Sequence, residues 1–246
     1  MWRAIGASVM GTSHAATQTR CQDYSAYALV DGACGPALVI AVADGAGSAT
    51  ASFHGAKTAV ESALAWCTAA LADDRELAGE DIVRCFADAR QRVLDVAAEY
   101  EHEARDYACT LLVAVATQER TLVGQIGDGA IVLDDGTLRA ATWPQQGEYA
   151  NATHFLVEDD ALERLVTVEA GPARRIAVFS DGLQALALQY DTQTPYEPFF
   201  APFFAYLESS PKPDAEIEGE LRAYLESGSV NARTDDDKSL VLAVRR

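Results

Sequence analysis

Basic residues are scarce in this sequence. Its 246 residues include 19 lysines and arginines against 37 aspartates and glutamates, which gives a formal net charge of −18. Nucleic acids and anionic membrane surfaces would repel so negative a protein, and the composition therefore argues against both as main partners. An apolar content of 49% excludes a disordered acidic tail. A chain of this length can bury a core without disulfides or a structural metal.

Long apolar runs and paired cysteines are also missing. The longest apolar runs, Pro36 to Ala43 and Leu111 to Ala116, are far too short to cross a bilayer. The N-terminus has no apolar segment of signal-peptide length. The cysteines form no C-x-x-C pair, so neither a disulfide framework nor a zinc site is expected. These absences favour a reduced, cytoplasmic protein.

Strand-like and helix-like segments occur in separate blocks. Periodic patterns predict two helices, 53–72 and 80–103, which we expect to form an antiparallel pair, and further helix in the proline-interrupted region 183–228. Segregated blocks of this kind favour an α+β fold with antiparallel sheets and helices packed outside. With no internal repeat and no linker, the sequence predicts one domain over 1–246. Alternating and short apolar segments predict strands at 3–10, 24–31, 37–43, 108–116, 120–126, 129–133, 137–141, 153–156, 164–169, 175–179 and 240–244.

Four aspartates stand at the ends of predicted strands, each beside a glycine or a strand edge. Strand ends hold side chains rigidly, and a neighbouring glycine lets a ligand approach the backbone closely. A single aspartate in such a place more often caps a turn. Four with the same placement, together with the acidic run 235–237, favour a shared site. They are Asp44, Asp128, Asp181 and Asp236.

Carboxylates that meet in one place repel each other unless cations neutralise them. Oxygen ligands without histidine or cysteine select Mg²⁺ or Mn²⁺ over zinc or copper. The sequence therefore predicts a hard-metal centre built from strand-end aspartates.

The ordered set of short motifs around these aspartates resembles a known family, the PP2C-type metal-dependent serine/threonine protein phosphatases, particularly their bacterial branch. Each motif alone is common, but the set in this order spans residues from about 20 to 240 and is specific. The motifs are Cys21-Gln22-Asp23, Val42-Ala43-Asp44-Gly45-Ala46-Gly47, Cys109-Thr110-Leu111-Leu112, Ile126-Gly127-Asp128-Gly129, Phe179-Ser180-Asp181-Gly182-Leu183 and Asp236-Asp237-Lys238-Ser239.

The resemblance implies two packed antiparallel sheets flanked by helix pairs, a four-layer α-β-β-α sandwich with two Mg²⁺ or Mn²⁺ ions in a cleft at one end. It also implies the metal ligands and their roles. Asp44 would bridge the two ions, the Gly45 carbonyl would bind the second, Asp181 and Asp236 would bind the first, Asp23 with Gln22 would reach metal-bound water, and Asp128 would serve a weaker third ion.

The implied reaction is hydrolysis of phosphoserine or phosphothreonine in proteins. A hydroxide bridging the two ions would attack the phosphoryl group, and no phosphoenzyme would form. The implied partners are a phosphorylated protein and a cognate serine/threonine kinase.

The sequence departs from the family pattern at several positions. Gln22 stands where the family usually has Glu, Ala46 where animal relatives have a histidine, and Ala185 where an acidic residue is associated with the third metal. The arginine that commonly contacts the substrate phosphate in the family would align near Gln18. Arg20, two residues away, is the candidate for this contact. The segment 143–151 lies where relatives have a variable loop near the cleft and is a candidate substrate-selecting flap.

Two other functions stay open beside the active protein phosphatase. One is a non-catalytic signalling or scaffold domain that keeps the fold. The departures from the family pattern at Gln22 and Ala185 are the reason to retain this alternative. The other is a phosphatase that uses the same centre on a small phosphorylated metabolite.

Overall fold

The computed structural model of the chain describes residues 1–32, 35–73, 76–145 and 153–246. The described helices are α1 (Thr12–Thr17), α2 (Ser52–Ala72), α3 (Gly79–Glu99), α4 (Gln184–Ala187), α5 (Glu197–Ser209), α6 (Asp214–Leu225) and α7 (Gly228–Asn231). The described strands are β1 (Trp2–Val9), β2 (Tyr24–Gly32), β3 (Gly35–Ala43), β4 (Leu111–Ala116), β5 (Thr121–Ile126), β6 (Ala130–Asp134), β7 (Leu138–Thr142), β8 (Val166–Ala170), β9 (Arg175–Phe179), β10 (Leu188–Gln189), β11 (Thr194–Pro195) and β12 (Lys238–Arg245).

Two five-stranded antiparallel sheets form the centre of the fold. One has the strand order β1-β12-β9-β6-β7 and the other β2-β3-β4-β5-β8. The predicted α+β fold with two antiparallel sheets and helices outside is confirmed. Most predicted strands agree with the structure within a few residues, but the strand predicted at 153–156 is wrong, because the structure has no strand there.

The layers are held by three apolar clusters. One lies between the sheets and joins side chains such as Ile40 and Val42 to Val178 and Val241. A second packs α2 and α3 on one sheet, and a third packs α5 and α6 on the other. The packing of β3, an interior strand of its sheet, explains why its sequence is apolar without interruption. Alternate residues enter different clusters, so both faces of the strand are buried.

The C-terminal helical region is less regular than its sequence predicts. The region 183–228 contains α4 to α6 but also the short strand pair β10 and β11, paired through Leu188 and Pro195. The second predicted helix ends at Glu99, not at 103, and Glu101 has a φ of 57°. No helix in the described segments is long and apolar enough to cross a membrane.

Candidate metal centre

The strand ends that carry the aspartates meet at one end of the sandwich. In one sheet the last residue of β9 is paired with the first residue of β6 and with the third residue of β12. Asp128, Asp181 and Asp236 flank these strand ends. In the other sheet the last residue of β3 is paired with the first residue of β2, so Asp44 and Asp23 leave neighbouring strands side by side.

Asp44, Asp128 and Asp181 form a compact group. One carboxylate oxygen of each lies within 4.8 Å of the corresponding oxygens of the other two, and all three residues are half-buried. Oxygen ligands on opposite sides of a hard cation are separated by about twice a bond of roughly 2.0–2.6 Å. The group is therefore the right size to hold one divalent cation.

Several oxygens at this end of the sandwich are buried without a hydrogen-bond donor in the described part of the chain. They include Oδ1 of Asp23, Oδ1 of Asp128 and Oδ1 of Asp181, as well as the side-chain oxygen of Gln22. A buried acceptor without a partner costs free energy, and a carboxylate costs more than a neutral group. A bound Mg²⁺ or Mn²⁺ with its water molecules would satisfy these oxygens, so the residues present fit such an ion.

Burial and mutual repulsion raise the pKa of these carboxyl groups. Burial raises the pKa of Asp181 to about 8, and the charges of Asp128, Asp236 and Asp23 add to the rise. Burial also raises the pKa of Asp23 to about 6, although a hydrogen bond from Ser180 favours its ionised form. The pKa of Asp44 is raised well above its ordinary value by burial and then by the charges of Asp23 and Asp181. Without a cation, the group is therefore difficult to ionise completely.

Asp236 stands apart from the compact group. The sequence predicts that Asp44, Asp181 and Asp236 converge on one cation, whereas the compact group contains Asp128 in place of Asp236. Asp236 is exposed, and its Oδ1 accepts the N–H of Asp237 at 2.8 Å. It still lies near the group, because its charge helps to raise the pKa of both Asp128 and Asp181. Asp236 is outside the compact group because it lies in the exposed loop just before β12.

Hydrogen bonds from two glutamine side chains hold the loop that carries Asp128. The buried amide of Gln125 donates to the carbonyls of Gly127 and Gly129 at 2.9 and 3.0 Å, on either side of Asp128. Gly127 has a φ of +111°, a conformation that side chains with a Cβ rarely adopt. Gln184 donates to the carbonyl of Asp128 at 2.6 Å. These contacts aim the Asp128 carboxylate at the group.

Gly45, beside Asp44, has a backbone carbonyl that receives no hydrogen bond from the described residues. It faces Cys109 across an isolated antiparallel bridge. The two hydrogen bonds of this bridge run from Thr110 N–H to the Asp44 carbonyl at 2.8 Å and from Ala46 N–H to the Ala108 carbonyl at 2.9 Å. Because the flanking residues make these bonds, the Gly45 carbonyl is not used by the bridge.

A serine links the two sheets behind the carboxylates. The hydroxyl of Ser180 donates to Oδ2 of Asp23 at 2.6 Å and accepts the N–H of Ser239 at 2.9 Å. Asp23 lies close enough to Asp44 for its charge to raise the pKa of the Asp44 carboxyl group. Asp23 is thus held on one oxygen by Ser180 while its other oxygen has no donor.

Asp237 is a site residue that the sequence does not single out. Its Oδ1 accepts the N–H of Gly11 at 2.7 Å and its Oδ2 accepts the N–H of Gln22 at 2.6 Å. Nδ1 of His14 lies 2.9 Å from the same Oδ2. Asp237 therefore fastens the N-terminal segment to the start of β12, a role that neither the acidic run 235–237 nor the motif that begins at Asp236 indicates.

The remaining predicted positions have less direct relations to the group. The guanidinium carbon of Arg20 lies 3.4 Å from the ring centroid of Phe53, a cation–π contact and not a contact with the compact group. Ala185 is exposed, and its carbonyl accepts a hydrogen bond from Arg233 at 3.3 Å. Of the predicted flap 143–151, residues 146–151 lie outside the described residues.

Comparison with known proteins identifies the family. A family model described as protein phosphatase 2C matches residues 10–226. Serine/threonine-protein phosphatase 3 of Escherichia coli (strain K12) is 39% identical over 251 residues, and the alignment covers 99% of this chain and 98% of the relative.

Solved structures give the same fold at much lower identity. A bacterial serine phosphatase has a TM-score of 0.67 at 12% identity, with 100% of this chain and 98% of that chain covered. The catalytic domain of the serine/threonine protein phosphatase PstP, in complex with two manganese ions, has a TM-score of 0.64 at 17% identity, with 99% and 97% covered.

The family match and the 39% identical relative place the chain among the protein serine/threonine phosphatases. It belongs to the protein phosphatase 2C family, which is metal-dependent.

Proposed function

We propose that the protein hydrolyses phosphoserine and phosphothreonine in other proteins, using two Mg²⁺ or Mn²⁺ ions held at the strand ends. The compact group of Asp44, Asp128 and Asp181 is the observation that carries this proposal. The name of the Escherichia coli relative and the two manganese ions of the PstP complex support it.

The proposed ligands follow the motif positions and the geometry around them. Asp44 would be shared by the two ions, the Gly45 carbonyl would hold the second, and Asp181 and Asp236 would hold the first. Asp23, with Gln22 beside it, reaches the ions through water. Asp128 joins the ligands or serves a weaker third ion, and its inclusion in the compact group supports a larger part for it than the sequence suggests.

When bound, the two ions would lower the pKa of a water molecule and neutralise charge on the phosphoryl oxygens. The residues of the chain hold the ligands in place for this. Thr110 accepts the N–H of Asp44 at 2.9 Å, and Ser180 fixes one oxygen of Asp23. The Arg20 guanidinium, stacked on Phe53, is the proposed contact for the substrate phosphate.

A thiol nucleophile is not part of the proposal. Cys109 is the cysteine opposite Gly45, and burial raises its pKa to about 12. Because the thiolate and not the thiol attacks, Cys109 is a poor nucleophile at neutral pH. Direct attack by water activated by the ions, without a phosphoenzyme, agrees with this.

The proposed substrate is a phosphoprotein, and a serine/threonine kinase would make it. The proposed place of action is the cytoplasm. A small phosphorylated metabolite is the alternative substrate, and a non-catalytic scaffold is the alternative function.

We expect p-nitrophenyl phosphate and a phosphoserine peptide to be hydrolysed in the presence of Mn²⁺ and not in the presence of EDTA. The unpartnered carboxylate oxygens would repel the negatively charged phosphate of the substrate. Cations at the site are therefore needed to bind it. Phosphate release, measured with each substrate and restored by excess Mn²⁺, checks this. Turnover that persists after chelation contradicts the metal mechanism, and metal binding without turnover of any phosphate ester favours the scaffold.

We expect Mn²⁺ to bind more tightly as the pH rises from 6 to 8. The folded-state pKa of Asp23, about 6, and that of Asp181, about 8, lie above the ordinary 3.8, so stability of the metal-free protein falls as the pH rises through this window. Because protons compete with Mn²⁺ for the carboxylates at low pH, the affinity for Mn²⁺ should rise by roughly tenfold or more between pH 6 and pH 8. Calorimetric titration with Mn²⁺ at each pH measures this, and equal affinity at pH 6 and pH 8 contradicts it.

A further inference from the structure

A groove of about 410 Å³ lies beside the proposed metal centre and takes no part in holding the ions. Most of the residues that line it are apolar or aromatic, among them Leu186, Tyr196, Phe199 and Tyr224. The hydroxyphenyl residues Tyr196 and Tyr224 are 41% and 37% exposed. Large exposed aromatic side chains that line one groove are typical of recognition surfaces.

The chain connects the groove directly to the metal centre. Ala185, in its lining, comes four residues after Asp181, and Arg233, also in its lining, comes three residues before Asp236. A hydrogen bond from Arg233 to the carbonyl of Ala185 ties these two segments together. The groove is therefore bounded by the same two segments that carry proposed metal ligands.

Tyr190 follows Gln189, which lines the groove, and contacts the Asp128 loop through Gln184. Its hydroxyl donates to the side-chain oxygen of Gln184, whose amide donates to the carbonyl of Asp128 at 2.6 Å. Its ring packs edge to face on Trp143, with 5.5 Å between the ring centroids. Burial raises the pKa of Tyr190, and the charges of Asp128 and Asp181 raise it further, so the phenol is within electrostatic reach of both. Tyr190, which is 45% exposed, is thus held beside the Asp128 loop by its contacts with Gln184 and Trp143.

The charge of the residues that line the groove indicates which peptide side chains it would bind. The protein carries a formal net charge of −18, yet Arg233 is the one charged side chain among the described residues that line this groove. An acidic side chain would be repelled over much of the surface but attracted here. An aromatic or aliphatic side chain would bury apolar area against Tyr196 and Tyr224.

We propose that this groove binds the segment of a phosphoprotein that flanks the phosphorylated residue, taking an apolar or aromatic side chain against Tyr196 and Tyr224 and an acidic side chain at Arg233. The proposal rests on the phosphatase function proposed above. It makes the groove a determinant of substrate choice that a small phosphate ester does not touch.

The test compares substrates with and without flanking residues. The probes are a phosphoserine peptide with Phe and Glu on both sides of the phosphoserine, the same peptide with Lys in place of Glu, an all-alanine version, and p-nitrophenyl phosphate. Tyr196→Ala and Arg233→Gln should each lower kcat/KM for the Phe/Glu peptide by about tenfold, chiefly through KM. They should leave p-nitrophenyl phosphate and the alanine peptide unchanged. Arg233→Glu should reverse the preference between the Glu and Lys peptides.

Two matched variants control for unspecific effects. Arg139→Glu changes a charge next to the β6–β7 turn at the other end of the sandwich, and Tyr206→Ala removes an exposed tyrosine (40% exposed) outside the groove. Neither should alter the ratio between peptides. If the groove variants change all substrates in parallel, or change none, the groove proposal is wrong.

A binding measurement separates failure of the groove from failure of the proposed function. Fluorescence anisotropy of the labelled Phe/Glu phosphopeptide should show binding to the wild type and about tenfold weaker binding to Arg233→Gln. If the wild type hydrolyses no phosphate ester but shows this pattern, the proposed function fails and the groove stands. Equal binding by the wild type and Arg233→Gln overturns the groove, whatever the activity.

Discussion

Asp44→Asn is expected to lower kcat/KM for p-nitrophenyl phosphate with Mn²⁺ by about 10³-fold or more, a loss of roughly 4 kcal/mol of transition-state stabilisation. Asp44 belongs to the compact group and is the proposed bridge between the ions, and a neutral amide cannot replace a bridging carboxylate. The substitution keeps the size of the side chain, so the fold should be retained. Steady-state kinetics over a range of Mn²⁺ concentrations measure the loss.

Stability adds a second readout for the same variant. Burial and the charges of Asp23 and Asp181 raise the pKa of Asp44, so its ionised form is costly in the metal-free protein. Metal-free Asp44→Asn should therefore unfold at the same or a higher temperature than the wild type at pH 8, and Mn²⁺ should stabilise it less. Asp135→Asn, on the turn between β6 and β7, is the matched control and should behave as wild type. Activity within tenfold of wild type for Asp44→Asn is incompatible with the proposed role.

The sheets could be predicted because their strands carry a local signal. In β12, alternate residues such as Leu240 and Leu242 enter the cluster under the helices, while Val241 and Ala243 enter the cluster between the sheets. Such strands read as short, continuous apolar runs bounded by turns. The segment 153–156 has a similar local appearance but no partner strand, and pairing is a long-range property.

Short elements without a buried face could not be predicted. Helix α1 has no buried residues, so it leaves no periodic pattern in the sequence. The β10–β11 pair is two residues long on each side and interrupts a region whose composition favours helix. The pair lies near the carboxylates, because Tyr190 follows β10 and bonds to Gln184, whose amide donates to the carbonyl of Asp128.

The sequence predicted that the strand-end aspartates meet at one end of the sandwich but not which of them come closest together. Strand-end placement brings Asp44, Asp128, Asp181 and Asp236 to one end of the sandwich, since antiparallel neighbours share ends. Which carboxylates come within 4.8 Å depends on loop conformation, and Gln125 holds the Asp128 loop through carbonyls that no motif reveals.

The supporting contacts are long-range and left no local signal. Ser180 and Asp23 are 157 residues apart in sequence, and Asp237 and Gly11 are 226 apart. Ser180, Asp23 and Asp237 lie within recognised motifs, but no motif indicates which residue each one contacts, because that is set by how the two sheets stack.

Gly182→Ala is expected to be among the most damaging single substitutions in the chain. A Cβ at Gly182 would overlap the backbone carbonyl oxygen of Asp237, which cannot move aside without shifting the start of β12. That segment carries Asp236 and the Asp237 carboxylate that holds Gly11. We expect the free energy of unfolding to fall by about 3 kcal/mol or more, since overpacking against backbone has no flexible side chain to absorb it. Urea denaturation of the metal-free protein measures the change.

Gly182→Ala should weaken Mn²⁺ binding more than its loss of stability alone would explain. Gly182 follows Asp181 directly, so relief of the overlap would separate Asp181 from the segment that carries Asp236. Gly182→Ala should therefore bind Mn²⁺ weakly even at temperatures where it is fully folded. Gly219→Ala is the matched control, because a Cβ there meets nothing within 4 Å inside α6, and it should stabilise the protein by about 0.5–1 kcal/mol. If Gly182→Ala keeps both wild-type stability and wild-type Mn²⁺ affinity, the close approach of the Asp181 turn to β12 does not exist in solution.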